Sequence, residues 1–159
     1  MVLVWIIHGI GAYSYTILFK RGQNITQYTY SEKYQKTTNN RMELFAVLNS
    51  LLKLKTNNHL FEDIKINVYC DSKYVVDPIN KKYLWTWEKK GFKTSTRTDV
   101  ANVDIWKQII SLLTHFNNIK FIWVKGHNNN KYNELVNKTA ISLSRNNDII
   151  GQVDYNYVK

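Results

Sequence analysis

Two acids stand in segments where a carboxylate could do chemistry: Glu43 within TTNNRMEL (37–44) and Asp71 within YCDSKYV (69–75). Carboxylates are hard oxygen donors of the kind that hold Mg²⁺, and two brought together can hold a cation that neither holds alone. Taken singly, each is better explained as a solvated surface acid. His127, in WVKGH (123–127), adds an imidazole suited to proton movement near neutral pH. A lone loop histidine is otherwise ordinary polar surface. Between Lys81 and Lys93, the lysines Lys81, Lys82, Lys89, Lys90 and Lys93 interleave with Tyr83, Trp85, Trp87 and Phe92. Cations and flat rings in alternation suit a nucleic-acid backbone. An amphipathic helix with its rings in the core accounts for the aromatics better, which leaves the lysines as the candidate contacts.

These residues need a scaffold, and the hydrophobic pattern supplies one. Val2 to Ile7, Ala12 to Lys20 and roughly Asn24 to Tyr30 are rich in β-branched and aromatic residues, and Arg21-Gly22-Gln23 reads as a hairpin turn. From Asn40 the period lengthens, with Leu44, Leu48, Leu51 and Leu52 marking a helix. Ile64 to Cys70 alternates as a strand with two different faces, which puts Asp71 just past a strand end. Ser72 is a candidate N-cap for the short segment that follows, which Pro78 would interrupt. Val103, Trp106, Ile109, Ile110 and Leu113 form a second helical stripe, Phe121 to Val124 a short strand, and Lys131 to Ser144 a last helix facing inward through Leu135, Val136, Ala140 and Leu143. This order predicts an α/β fold, a mixed five-stranded sheet with helices on both faces. Residues 1–145 then form one domain, and 146–159 a loosely held C-terminal tail without clear period.

At 159 residues the chain suits a single core. A net charge of +10 favours a polyanionic partner. Cys70 is the only cysteine, so no intramolecular disulfide forms, and no Cys/His cluster has zinc spacing. A reducing, cytoplasmic setting follows as an expectation. The apolar opening, Val2 to Ile7, is far too short to cross a bilayer.

TTNNRMEL and YCDSKYV, followed in order by WEKKGFKT (87–94), NVDIW (102–106) and WVKGH, resemble the signature segments of ribonuclease H, the family that cuts RNA paired to DNA. The resemblance spans about Tyr13 to Leu143 and is closest to the free-standing, type 1-like nuclease. It implies the ribonuclease H fold and a metal-assisted endonuclease using Mg²⁺ or Mn²⁺. Glu43 and Asp71 then become metal ligands and His127 the mobile histidine that assists proton movement or product release. It further implies that Asn39 and Asn40 read ribose hydroxyls, that Thr38 and Asn102 hold a phosphate of the DNA strand, and that the lysines from Lys81 to Lys93 belong to a basic protrusion. The implied partner is an RNA/DNA hybrid bound by a monomer, with no obligate protein partner.

The pattern fails at two positions. Where the family carries an Asp near the start of the last helix, alignment through Asn133-Glu134 puts Asn137. An amide oxygen can ligate a cation, but it lacks the charge that holds one tightly. Glu134 lies three positions earlier on the helix and points about 60° away. The family's Asp-Gly-Ser at the end of the first strand is also missing, since no acid precedes Glu32. Either that Asp would fall about at Met1, or a shortened loop puts His8-Gly9-Ile10 in its place; the second alternative keeps the central strand. Two of four metal-binding carboxylates are absent in either case. The expected function is hybrid-directed RNA cleavage, impaired as written, or hybrid binding without cleavage.

Overall fold

The computed structural model describes residues 1–9, 11–56, 64–126 and 130–157, with the side chains of 7–9 set aside. Five strands form one sheet: β1 (Val2–Gly9), β2 (Ala12–Arg21), β3 (Asn24–Lys33), β4 (Ile66–Cys70) and β5 (Ile119–Trp123). They lie in the order β3-β2-β1-β4-β5. β1 runs antiparallel to β2 and β2 to β3, while β4 pairs parallel with both β1 and β5. Gly22 turns the β2–β3 hairpin at φ +61°, a left-handed conformation that glycine adopts without a Cβ penalty.

Five helices complete the fold: α1 (Asn39–Lys55), α2 (Lys73–Asn80), α3 (Tyr83–Lys89), α4 (Val103–Leu113) and α5 (Lys131–Arg145). One face of the sheet is covered by α1, which also packs against α4; α5 packs on β1, β2 and β3. Two cores result. Val2, Val4 and Ile6 of β1 join the large cluster with α1 and α4, and Trp5 joins Val136 and Ala140 of α5 in a smaller one. Alternation along one strand thus feeds opposite faces, as the two-residue period requires. In the smaller core, Trp5 stacks on Tyr69 of the neighbouring β4 with ring centroids 4.4 Å apart.

The sheet and its two helical faces match the fold expected from the hydrophobic pattern, with local differences. Sandwiched between sheet and α4, α1 buries ten residues from Arg41 to Leu54, so its apolar surface is broader than one stripe and Leu52 is the residue left exposed. On α5 the inward stripe is Asn133, Val136 and Ala140, whereas Leu135, about 100° from Val136, is exposed. Pro78 does not interrupt α2; it lies inside the helix, buried, two residues before the end. The tail is not loose between Gly151 and Asp154. Gln152 N–H donates to Lys33 O (2.7 Å), Gln35 N–H donates to Gln152 O (2.9 Å), and Asp154 is 3% exposed.

Candidate active site

The parallel strands β1 and β4 end at the same edge of the sheet, and Asp71, Ser72 with its partner Glu43, and the segment leaving β5 adjoin that edge. Asp71 is the first residue after β4. Trp123 Nε1, at the end of β5, donates to the Asp71 carbonyl (3.0 Å), and Val124 N–H donates to Cys70 O (3.0 Å), so the segment leaving β5 is strapped to the turn that carries the carboxylate. That segment leads to Gly126, where a Cβ would lie 3.2 Å from Asp71 Oδ2. Glycine permits this close approach, and it brings the WVKGH loop against the acid. His127 itself lies outside the described residues.

Glu43 comes from the second turn of α1 and is 8% exposed. A buried carboxylate needs a partner, and Ser72 provides one: its hydroxyl donates to Glu43 Oε2. Ser72 does stand at the N-cap position of α2, but it makes no side-chain capping bond there because its hydroxyl is turned to Glu43 instead. Asp71 and Glu43 therefore flank adjacent chain positions. Cys70 registers both: burial pushes its thiol pKa up, the Ser72 backbone contact opposes this, and the charges of Asp71 and Glu43 raise it further. Such a thiol stays protonated and inert.

The strand register bears on the missing acid. Ile6 pairs with Cys70, so the next residue of β1, Ile7, is level with Asp71. The strand continues through Gly9, and His8 therefore stands one residue beyond that level rather than after the strand's end. Asn137 is half-buried, one turn beyond buried Asn133 on α5. Among the described residues no three His, Cys, Asp or Glu side chains come together as a metal site.

A second cluster adjoins the start of α1. Thr38 is its N-cap, Oγ1 accepting from Arg41 N–H (3.3 Å), which assigns capping to Thr38 and leaves Asn39 and Asn40 as exposed first-turn residues. Arg41, 3% exposed, is the hub that the sequence reading missed. Its Nε and Nη2 donate to Asp154 (2.5 and 2.8 Å), Nη1 and Nη2 donate to Asp104 (3.0 and 2.7 Å), and Nη1 also reaches Asn102 Oδ1 (3.2 Å). Burial tends to lower the Arg41 pKa and the two carboxylates more than reverse it, so the guanidinium is held charged. Burial likewise tends to raise Asp104, but the Arg41 hydrogen bonds and charge hold it below the usual carboxylate value.

The RNase H family profile matches residues 8–144. The chain belongs to the ribonuclease H family. Ribonuclease H of Clostridium botulinum is 37% identical over 131 residues, covering 82% of this chain and 80% of that relative. Among solved structures, a type 1 RNase H with the type 2 active-site motif superposes with a TM-score of 0.72 at 21% identity, over 90% of this chain and 71% of the other. An RNase H1 in complex with RNA/DNA hybrid superposes with a TM-score of 0.62 at 18% identity, over 90% and 98%.

The ribonuclease H family uses divalent metal ions. Two carboxylates linked through Ser72, with an uncharged amide at Asn137 and an isoleucine level with Asp71, offer fewer anionic oxygen donors than a pair of hard cations requires. For nucleic acid the surface is better furnished. Lys81, Lys82, Lys89, Lys90 and Lys93 are all exposed, though Lys81 pairs with Asp77 and Lys93 with Asp99. The rings divide. Phe92 is buried and Trp87 packs edge-on against Trp106, while Tyr83 and Trp85 are exposed.

Proposed function

We propose that this chain binds RNA/DNA hybrids and hydrolyses their RNA strand slowly, leaving 5′-phosphate and 3′-hydroxyl ends. The observation that carries the reading is Asp71 at the end of β4 beside Ser72, whose hydroxyl holds Glu43, with Gly126 approaching the Asp71 carboxylate, in a chain of the ribonuclease H family. Mg²⁺ or Mn²⁺ would be held by Glu43 and Asp71, with the Asn137 amide oxygen as a third ligand. Such an ion supplies positive charge to phosphate oxygens. The chain's own residues do the rest. Ser72 fixes the Glu43 carboxylate, Asn39 and Asn40 reach the 2′-hydroxyls that distinguish RNA from DNA, and Thr38 with Asn102 holds a DNA-strand phosphate. Lys82, Lys89 and Lys90 neutralise backbone charge, and His127 assists proton movement. Every residue in this scheme comes from one chain, which supports action as a monomer, and the buried lone thiol suits the cytoplasm.

A second reading, hybrid binding without cleavage, is favoured by one specific contrast: the binding residues are complete while two anionic ligands are replaced by Asn137 and an apolar β1 end. Parallel assays separate the two readings. Hybrid retention on a filter measures binding, and release of RNA fragments in Mg²⁺ or Mn²⁺ measures cleavage. Slow cleavage abolished by Asp71→Asn supports the first reading, binding with none supports the second, and equal affinity for plain DNA duplex contradicts both.

A further inference from the structure

An amide side chain has a donor end and an acceptor end of nearly the same shape, so something must decide which end faces an incoming anion. At Asn102 that decision belongs to Arg41. A guanidinium offers only donors, and its Nη1 lies 3.2 Å from Asn102 Oδ1, which turns the oxygen inward. Asn102 Nδ2 is thereby turned away, where one N–H meets Tyr74 Oη (2.8 Å) and the other points elsewhere. Thr38 is fixed beside it by the backbone of α1, since the main-chain N–H of Arg41 donates to Thr38 Oγ1 and engages that oxygen as an acceptor. Asn102 is itself held at φ +58°, a left-handed conformation rare outside glycine, which places its amide at the N-terminus of α4 beside the N-terminus of α1.

We infer that Arg41, clamped by Asp154 from the C-terminal segment, is a positioning residue that presents the donor end of Asn102, beside the Thr38 hydroxyl, to one phosphate of the DNA strand. The inference rests on the hybrid-binding reading above and adds to it an orienting residue and a role for the tail. The charges of the cluster point the other way. Arg41 with Asp104 and Asp154 carries a net −1, which by itself repels phosphate. The cluster therefore acts through geometry, and the two effects have opposite signs when Asp154 is neutralised.

The test uses hybrids whose DNA strand carries a single neutral methylphosphonate at successive positions, with affinity measured at fixed salt. In the parent one position costs about tenfold or more in affinity, the size of one hydrogen bond to a charged group. In Arg41→Lys, which keeps the charge and loses the planar fork, the penalty at that position falls to about twofold or less. Should Arg41→Lys fail to fold, as judged by circular dichroism, Asp154→Asn preserves shape and serves instead. It binds all-phosphate hybrid more weakly and shows a reduced penalty, although simple charge removal predicts tighter binding. A folded variant that keeps the full penalty, tighter binding by Asp154→Asn, or a hybrid-binding parent with no sensitive position overturns the inference. A parent that does not prefer hybrid to duplex DNA overturns the proposed function itself.

Discussion

Removing the carboxylate of Asp154 tests how far the C-terminal segment belongs to the fold. In Asp154→Ala, Arg41 loses two charge-assisted hydrogen bonds, from Nε and Nη2, at a site where both partners are almost fully buried. Each such bond contributes about 1.5–3 kcal/mol, and stranding a buried charge altogether costs about 3–5 kcal/mol. Here the charge is not stranded. Asp104 still accepts from both Nη atoms and is 28% exposed, so water reaches part of the network. The loss should therefore be about 2–4 kcal/mol, which for a domain of this size lowers Tm by about 5–15 °C. Urea unfolding followed by circular dichroism measures it, with an unchanged m-value showing that the native state stays compact. A loss below about 0.5 kcal/mol would refute the reasoning, since it would place the pair with exposed ion pairs that contribute little.

Three further outcomes follow from the same contacts. Asp104 is held below its usual carboxylate pKa, so its pairing contributes stability that is fully present above about pH 4, the unfolded value, and is lost as pH falls through the lower folded value. The stability gap between the parent and Asp104→Asn should therefore be constant near neutrality and shrink below about pH 4 in acid-unfolding curves; a gap that widens there contradicts the assignment. Lys89→Ala should reduce the log-log salt slope of hybrid binding by about 0.9, and Lys81→Ala by less, because Lys81 is already paired with Asp77. Equal changes would show that the Asp77 pair does not matter to binding. Asn137→Asp alone should restore little cleavage, whereas combined with an Asp in β1 it should gain far more than the product of the single effects. The register makes Ile7→Asp the stronger partner than His8→Asp, and fast cleavage by Asn137→Asp alone would show that another group already fills the first-strand role.

Hydrophobic period made the strands, α1, α4 and α5 legible, because each lays apolar side chains toward one of two cores. Element ends were less so. β3 extends through Ser31, Glu32 and Lys33 because these polar residues pair with Ser14, Tyr13 and Ala12 of β2, and cross-strand pairing leaves no mark on local periodicity. β4 begins at Ile66 rather than Ile64, opposite Val2 at the start of β1. Glu43 and Asp71 could be singled out from their segments, but Ser72 was read as a helix cap because its bond to Glu43 spans 29 positions. Arg41 did carry a usable signal. It lies three and seven residues before Leu44 and Leu48 on the same buried face, where a cation requires an acid. Asp154 was hidden by distance, one of two acids in an aperiodic tail, meeting Arg41 across 113 positions.

The proposal that this member of the ribonuclease H family retains hybrid recognition on a weakened metal site is tested most directly by single-turnover cleavage of a labelled RNA/DNA hybrid beside an intact family member, with Mg²⁺ raised from micromolar to tens of millimolar. The account predicts saturable hybrid binding, cleavage slower by about a hundredfold or more, and a rate still rising at the highest Mg²⁺, as two carboxylates and an amide would hold the ion weakly. Ordinary cleavage that saturates at low Mg²⁺ would contradict it.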